Sequence, residues 1–128
     1  MTNKLTKINI SSRLGLAFVF FYHGFFPKIL QLSAIEKELV DLHNLPIASE
    51  ILSPLAGILE IALAIAIITL RKSLLPVYIA AVALTILLID VALIKPELLT
   101  EAFNPVTINI ASLFLCYIIA ISEDKTTL

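Results

Sequence analysis

The chain has a single cysteine, little charge and no surplus of basic residues, and each shortage removes a class of function. Cys116 alone permits no intramolecular disulfide and no paired-thiol redox centre. An enzyme that passes electrons through vicinal thiols needs two, so the chain acting alone is not one. Nine Lys and Arg against ten Asp and Glu give a formal charge of −1. The cations are scattered, so there is no basic field for nucleic acid. No His-x-x-x-His or Cys-x-x-Cys spacing occurs, and no metal or cofactor motif is evident. No small-x-small cleavage site follows the first apolar run, which is therefore expected to stay as a helix.

What fills the chain instead is apolar. Apolar residues make up 59% and charged residues 15%, against roughly 45–50% and about 25% in soluble domains. A domain of 128 residues has too little interior to hide that surface from water, so its solvent includes lipid. Four runs, near residues 9–26, 51–70, 74–94 and 105–121, have the length of membrane spans and lack the alternation of barrel strands. The expectation is one domain over 1–128: an all-α, four-helix transmembrane bundle whose short connections make neighbouring helices antiparallel. Pro54 is expected in the first turn of the second span, and Pro27 is expected to end the first. Lys4, Lys7, Arg13, Arg71, Lys72 and Lys125 flank one side, against Lys28, Lys37 and Lys95 on the other. That balance puts both termini in the cytoplasm, in what reads as a bacterial cytoplasmic membrane.

The first extracytoplasmic loop carries Leu32, Ile35, Leu39 and Leu42 at spacings of three and four, which predicts a short amphipathic helix. Ser33 and Glu36 form a capping box at its start, and Asn44 with Pro46 marks its end. Its polar face is acidic (Glu36, Glu38, Asp41). The expectation is a cover lying on the bundle, and the alternative is a lid over a cavity.

Glu60 sits near the middle of the second span with no other charge between Ile51 and Leu70. A carboxylate at mid-helix costs about 2.5–3.5 kcal/mol on insertion scales, so it must face the bundle and find a partner. Its stripe is Ser53, Gly57, Glu60, Ala64 and Arg71, and its small members allow close helix packing. Counted at about 1.5 Å per residue, Glu60, Asn109, His23 and Asp90 fall in the middle and outer half of the bilayer. Arg13 falls below them and Lys28 at the outer edge, so Arg13 from below and His23 from above are the expected partners of Glu60. Asn104 with Pro105 reads as the cap of the fourth helix, and Asp90 as a partner of Lys95.

Three ordered segments resemble the DoxX-like membrane proteins: RLGLAFVFFYHGFFPK from Arg13 to Lys28, PLAGILE from Pro54 to Glu60, and FNPVTIN from Phe103 to Asn109. The resemblance extends from Arg13 to about Ile121 and implies a four-helix membrane fold. It also implies links to quinone-coupled sulfur oxidation, to oxidative-stress complexes and to nicotinamide-binding oxidoreductase partners. The residues it carries over are Arg13, His23, Lys28, Glu60, Asn104 and Asn109, as candidates for ligand binding with no assigned catalytic role.

These readings converge on a binding module or accessory subunit that holds a hydrophobic ligand, a quinone or a lipid, for a redox partner. Glu60 and His23 would hydrogen-bond the ligand's head, and Asn109 would orient it. Self-association is a further expectation. Three alternatives stay open: a structural subunit with a buried Glu60–Arg13 pair, a small enzyme using Glu60 as acid or base, and an oligomer that leaks or transports protons.

Overall fold

The computed structural model describes residues 4–123; Lys125, counted in the charge balance, lies outside them. Five α-helices and no strand occur among the described residues. Helix α1 spans Lys4–Phe25 and gives way to a π-helical turn, Phe26–Leu30. Pro27 has no amide hydrogen to continue an α-helix. The chain widens there instead of stopping, and the Gln31 amide donates to the Phe26 carbonyl at 3.1 Å. Ser33 then caps α2, Ala34–Asp41, by accepting from the Glu36 amide at 3.1 Å. Asn44, at φ 51°, takes the left-handed conformation that asparagine tolerates and closes the turn after α2.

Helix α3 covers Ser49–Thr69 and α4 covers Leu75–Ile94. The early start at Ser49 puts Pro54 beyond the first turn, one place where the sequence reading was too conservative. A 3-10 turn, Pro96–Thr100, leads to α5, Pro105–Ile121. Asn104 caps it, accepting from the Thr107 amide at 3.0 Å, as the Asn-Pro pair predicts.

Helix α1 packs along α3 and α5, and α5 packs on α4. Where the four long helices meet, Leu16, Ala17, Phe20, Ala64, Ile67, Val77, Ala80, Leu84, Cys116 and Ile119 form one buried cluster. Cys116 is a small packing residue within it. The perimeter is apolar as well, with Phe18, Leu59 and Leu93 among many large side chains turned outward. Facing water, that surface would be unstable; facing acyl chains it costs nothing.

Helices α3 and α4 are long and apolar enough to cross a membrane on their own. The α1 segment with its π-helical turn reaches that standard only together with α2, as a pair bent by 86°. Helix α5, at 17 residues, is apolar but short.

Candidate functional site

The site begins where two backbones touch. A Cβ placed on Gly24 of α1 would lie 2.6 Å from the Gly57 carbonyl oxygen of α3, and one on Gly57 would strike the Gly24 oxygen harder still. Only hydrogen fits at either position, so these glycines fix the crossing of α1 and α3. Lys28 stands one turn beyond Gly24, and Glu60 one turn beyond Gly57 in the opposite sense along the crossing.

The π-helical turn directs Lys28 inward, where it is 8% exposed. Its four-carbon stem runs past the glycine contact, and Nζ donates to Glu60 Oε1. Glu36 of α2 also approaches the ammonium, with Oε1 at 3.9 Å. One cation is thus shared by two carboxylates. Burial holds the Glu36 carboxyl above its ordinary range, partly opposed by the Lys28 charge. This corrects the expected partnership: Glu60 is joined to Lys28, not to Arg13, and His23 makes no side-chain hydrogen bond among the described residues.

These groups border a cavity of about 690 Å³, within the usual range for small-molecule sites. Its apolar walls come from α1 (Val19, Phe20), α3 (Leu52, Ala56), α4 (Leu84, Leu87) and α5 (Ile108). Its polar points are His23, Lys28, Glu36, Ser53, Glu60, Asn104 and Asn109, with His43 and Asp90 at another part of the wall. Two buried oxygens on lining residues, Ser53 Oγ and Glu60 Oε2, have no hydrogen-bond partner. Such unmet groups are rare in native interiors and call for an explanation; a third, Ser112 Oγ, lies off the cavity. Asn109 Nδ2 donates to the Leu84 carbonyl at 3.1 Å and so ties α5 to α4 beside the cavity. His23 also borders a more open hollow of about 420 Å³ outside the π-helical turn.

Helix α2 bounds the cavity with Ile35, Glu36, Leu39 and Val40. It is tied down at three points. Lys37 Nζ meets Glu50 Oε1 at 2.6 Å and Ser49 Oγ at 3.1 Å, Glu38 pairs with Lys95, and His43 Nε2 meets Asp90 Oδ1 at 2.8 Å. Asp90 is therefore the partner of His43 rather than of Lys95. The Asp90 contact, aided by the Leu39 carbonyl on Nδ1, holds the His43 pKa above the usual histidine value. With both ring nitrogens engaged, His43 is a fastening residue. Among the described residues, no three His, Cys, Asp or Glu side chains come together as a metal-binding group.

Arg13 lies at the other end of the bundle and is 1% exposed. Its Nε donates to Asn9 Oδ1 at 2.9 Å, and Nη1 donates to the Ile67 carbonyl at 3.0 Å. Nη2 lies 3.2 Å from each of the Arg71 carbonyl, the Ser73 carbonyl and Glu123 Oε2. Asn9 Nδ2 in turn donates to the Ile119 carbonyl at 3.1 Å. The guanidinium fork thereby satisfies carbonyls that the end of α3 leaves open, and it joins α1, α3 and the end of α5. A buried Arg–Glu contact exists, but its acid is Glu123. Arg71, placed on the Glu60 stripe by spacing, is exposed.

Five of the six sequence candidates, His23, Lys28, Glu60, Asn104 and Asn109, line one cavity, and Arg13 does not. Glu36, Ser53 and the His43–Asp90 pair were missed as site residues. The signal for Glu36 and His43 was present, because residues 35, 36, 39, 40 and 43 share one helical face and all of them line the cavity. Ser53 was legible only as part of a small-residue stripe.

No curated protein and no solved structure matches the chain. The DoxX-like family matches it over residues 17–117, which takes in all of the cavity-lining elements. With its apolar helices and lipid-suited perimeter, the chain is a small membrane protein and belongs to the DoxX-like family.

Proposed function

We propose that this protein is a ligand-holding membrane subunit, a module that keeps a hydrophobic molecule with a polar head, a quinone or a lipid, in the cavity beside Glu60 for a redox partner. In this reading α1, α3, α4 and α5 all cross the bilayer, with both termini in the cytoplasm of a bacterial cell. Helix α2 is the amphipathic cover in the outer interface. Lys28, Glu60 and His23 receive the head, Asn109 and Asn104 steady the α5 wall, and the aliphatic walls take the body. One observation carries the proposal: a cavity of about 690 Å³ with apolar walls is paired with buried polar atoms that no protein group satisfies. A bundle built only for structure fills such a space, as the Arg13 end does.

The test is to purify the protein in mild detergent and measure retained lipid and quinone by mass spectrometry. The unaltered protein should retain a molecule that Ala56→Phe, which fills the cavity, excludes. Equal retention by the two proteins rules the cavity out as the binding place.

A further inference from the structure

The wall chemistry of the cavity narrows what its occupant can be, on the reading that the cavity holds an amphiphile at all. Its lining carries one lysine, Lys28, against three carboxylates, Glu36, Glu60 and Asp90. The lysine is already shared between Glu60 and Glu36, and Asp90 is joined to His43. A second anion entering this space, whether carboxylate or phosphate, would meet carboxylates with no spare cation in a medium of low dielectric. An added cation would be set against Lys28, which already contacts the two glutamates.

Hydrogen-bonding capacity sharpens the point. An ionised carboxylate only accepts, and Glu60 has one oxygen engaged by Lys28 and the other unmet. Glu60 lines the cavity, and the terminal torsion of a glutamate is broad and soft, so rotation about it is the route by which that buried oxygen would meet a donor there. What Glu60 lacks is a donor. Ser53 Oγ, on a residue 2% exposed and also unpartnered, can accept or donate alongside it.

We infer that the cavity selects an uncharged amphiphile whose head donates a hydrogen bond to Glu60, the chemistry of an alkyl phenol, a quinol or a long-chain alcohol. Fatty acids and lipid phosphates are disfavoured by their charge at the same position, and an acceptor-only head such as an oxidised quinone leaves the Glu60 oxygen unmet.

Three probes of one shape isolate the head: 4-octylphenol, its methyl ether 4-octylanisole, and 4-octylbenzoate, titrated near neutral pH into the full chain in nanodiscs. A hydrogen bond to a charged acceptor supports a preference of about tenfold or more. The phenol should therefore bind at least about tenfold more tightly than the ether or the benzoate. Ether or benzoate binding as tight as the phenol overturns the head-group inference and leaves the cavity reading standing. Failure of all three probes to bind overturns the cavity reading itself. In Glu60→Gln, Lys28 retains the amide oxygen and an N–H donor replaces the free acceptor, so the gap between phenol and ether should fall to about twofold. An unchanged gap removes Glu60 as the acceptor. Should that variant fail to fold, the three-probe comparison on the unaltered chain decides alone.

Discussion

One helical segment, α1 with its π-helical turn, buries two cations, and the two are treated in opposite ways. Arg13 is surrounded by two backbone carbonyls from the α3–α4 turn, the Ile67 carbonyl, Asn9 and Glu123, and the packed core adjoins it. Lys28 contacts two carboxylates at the border of a cavity, where one oxygen of its partner is left with no bond. Both residues look equally anomalous in a membrane sequence. The difference teaches that a buried charge is informative about function by what remains unsatisfied around it. At the Arg13 end each guanidinium nitrogen has an acceptor and the helices are fastened. The Lys28 end keeps capacity in reserve.

That contrast can be broken by substitution. Arg13→Ala should have the largest effect, a loss of at least about 3 kcal/mol, because it strips donors from several buried carbonyls at once. Thermal unfolding in detergent would read it, and a near-parent midpoint would end the view of Arg13 as a fastener. Gly57→Ala comes next, at about 1–3 kcal/mol, since the added methyl meets backbone rather than a movable side chain. Its Lys28–Glu60 contact should part with it, visible as reduced affinity for cavity ligands.

Lys28→Met combined with Glu60→Gln should keep the stability of the parent within about 1 kcal/mol, because the closer pair goes as a unit and the carboxyl left behind, Glu36, is a quarter exposed and already held toward its protonated form by burial. Ligand selectivity should nevertheless disappear. If this double change unfolds the protein as badly as Arg13→Ala, the two ends are alike and the contrast fails.

The smallest expected effect is on α2. Of the groups with raised pKa values there and in the turn that follows, Glu36 and His43 are the two whose ordinary values lie below pH 8, Lys37 being the third, and both bind protons more tightly in the folded protein than when unfolded. Their stabilising contributions are whole at low pH. Glu36 loses its share as pH rises through its raised value above 4.5, and His43 loses its share above 6.5. The exposed His43–Asp90 tie is worth less than about 1 kcal/mol and is screened by salt. Amide exchange in α2, corrected for intrinsic rates, should be slower at pH 6 than at pH 8; the opposite order would contradict the sign of both shifts.

How much of this could be read from the chain differs between the two regions. Helix positions follow from the apolar runs and the Pro and Asn punctuation, which is why Asn104 and Ser33 cap where expected. That Glu60 faces other helices also follows, from the small residues on its stripe. Its partner does not. Depth counting treats a side chain as a point beside its Cα, whereas Lys28 reaches back along the crossing and its turn is wider than an α-helix. Arg13 was assigned upward to Glu60 because spacing cannot show that the α3–α4 turn offers nearer carbonyls. The cavity was legible only in part, since a void is a property of how four helices diverge and not of any one segment.

The widened turn at Phe26–Leu30 has an evolutionary reading too. Turns of this kind behave as one-residue insertions accommodated within an existing helix. Removing Phe26 would turn the lysine by about 100° around the axis, away from the direction in which it meets Glu60. Gain or loss of one residue at this point is therefore enough to give Glu60 its counter-ion or to take it away.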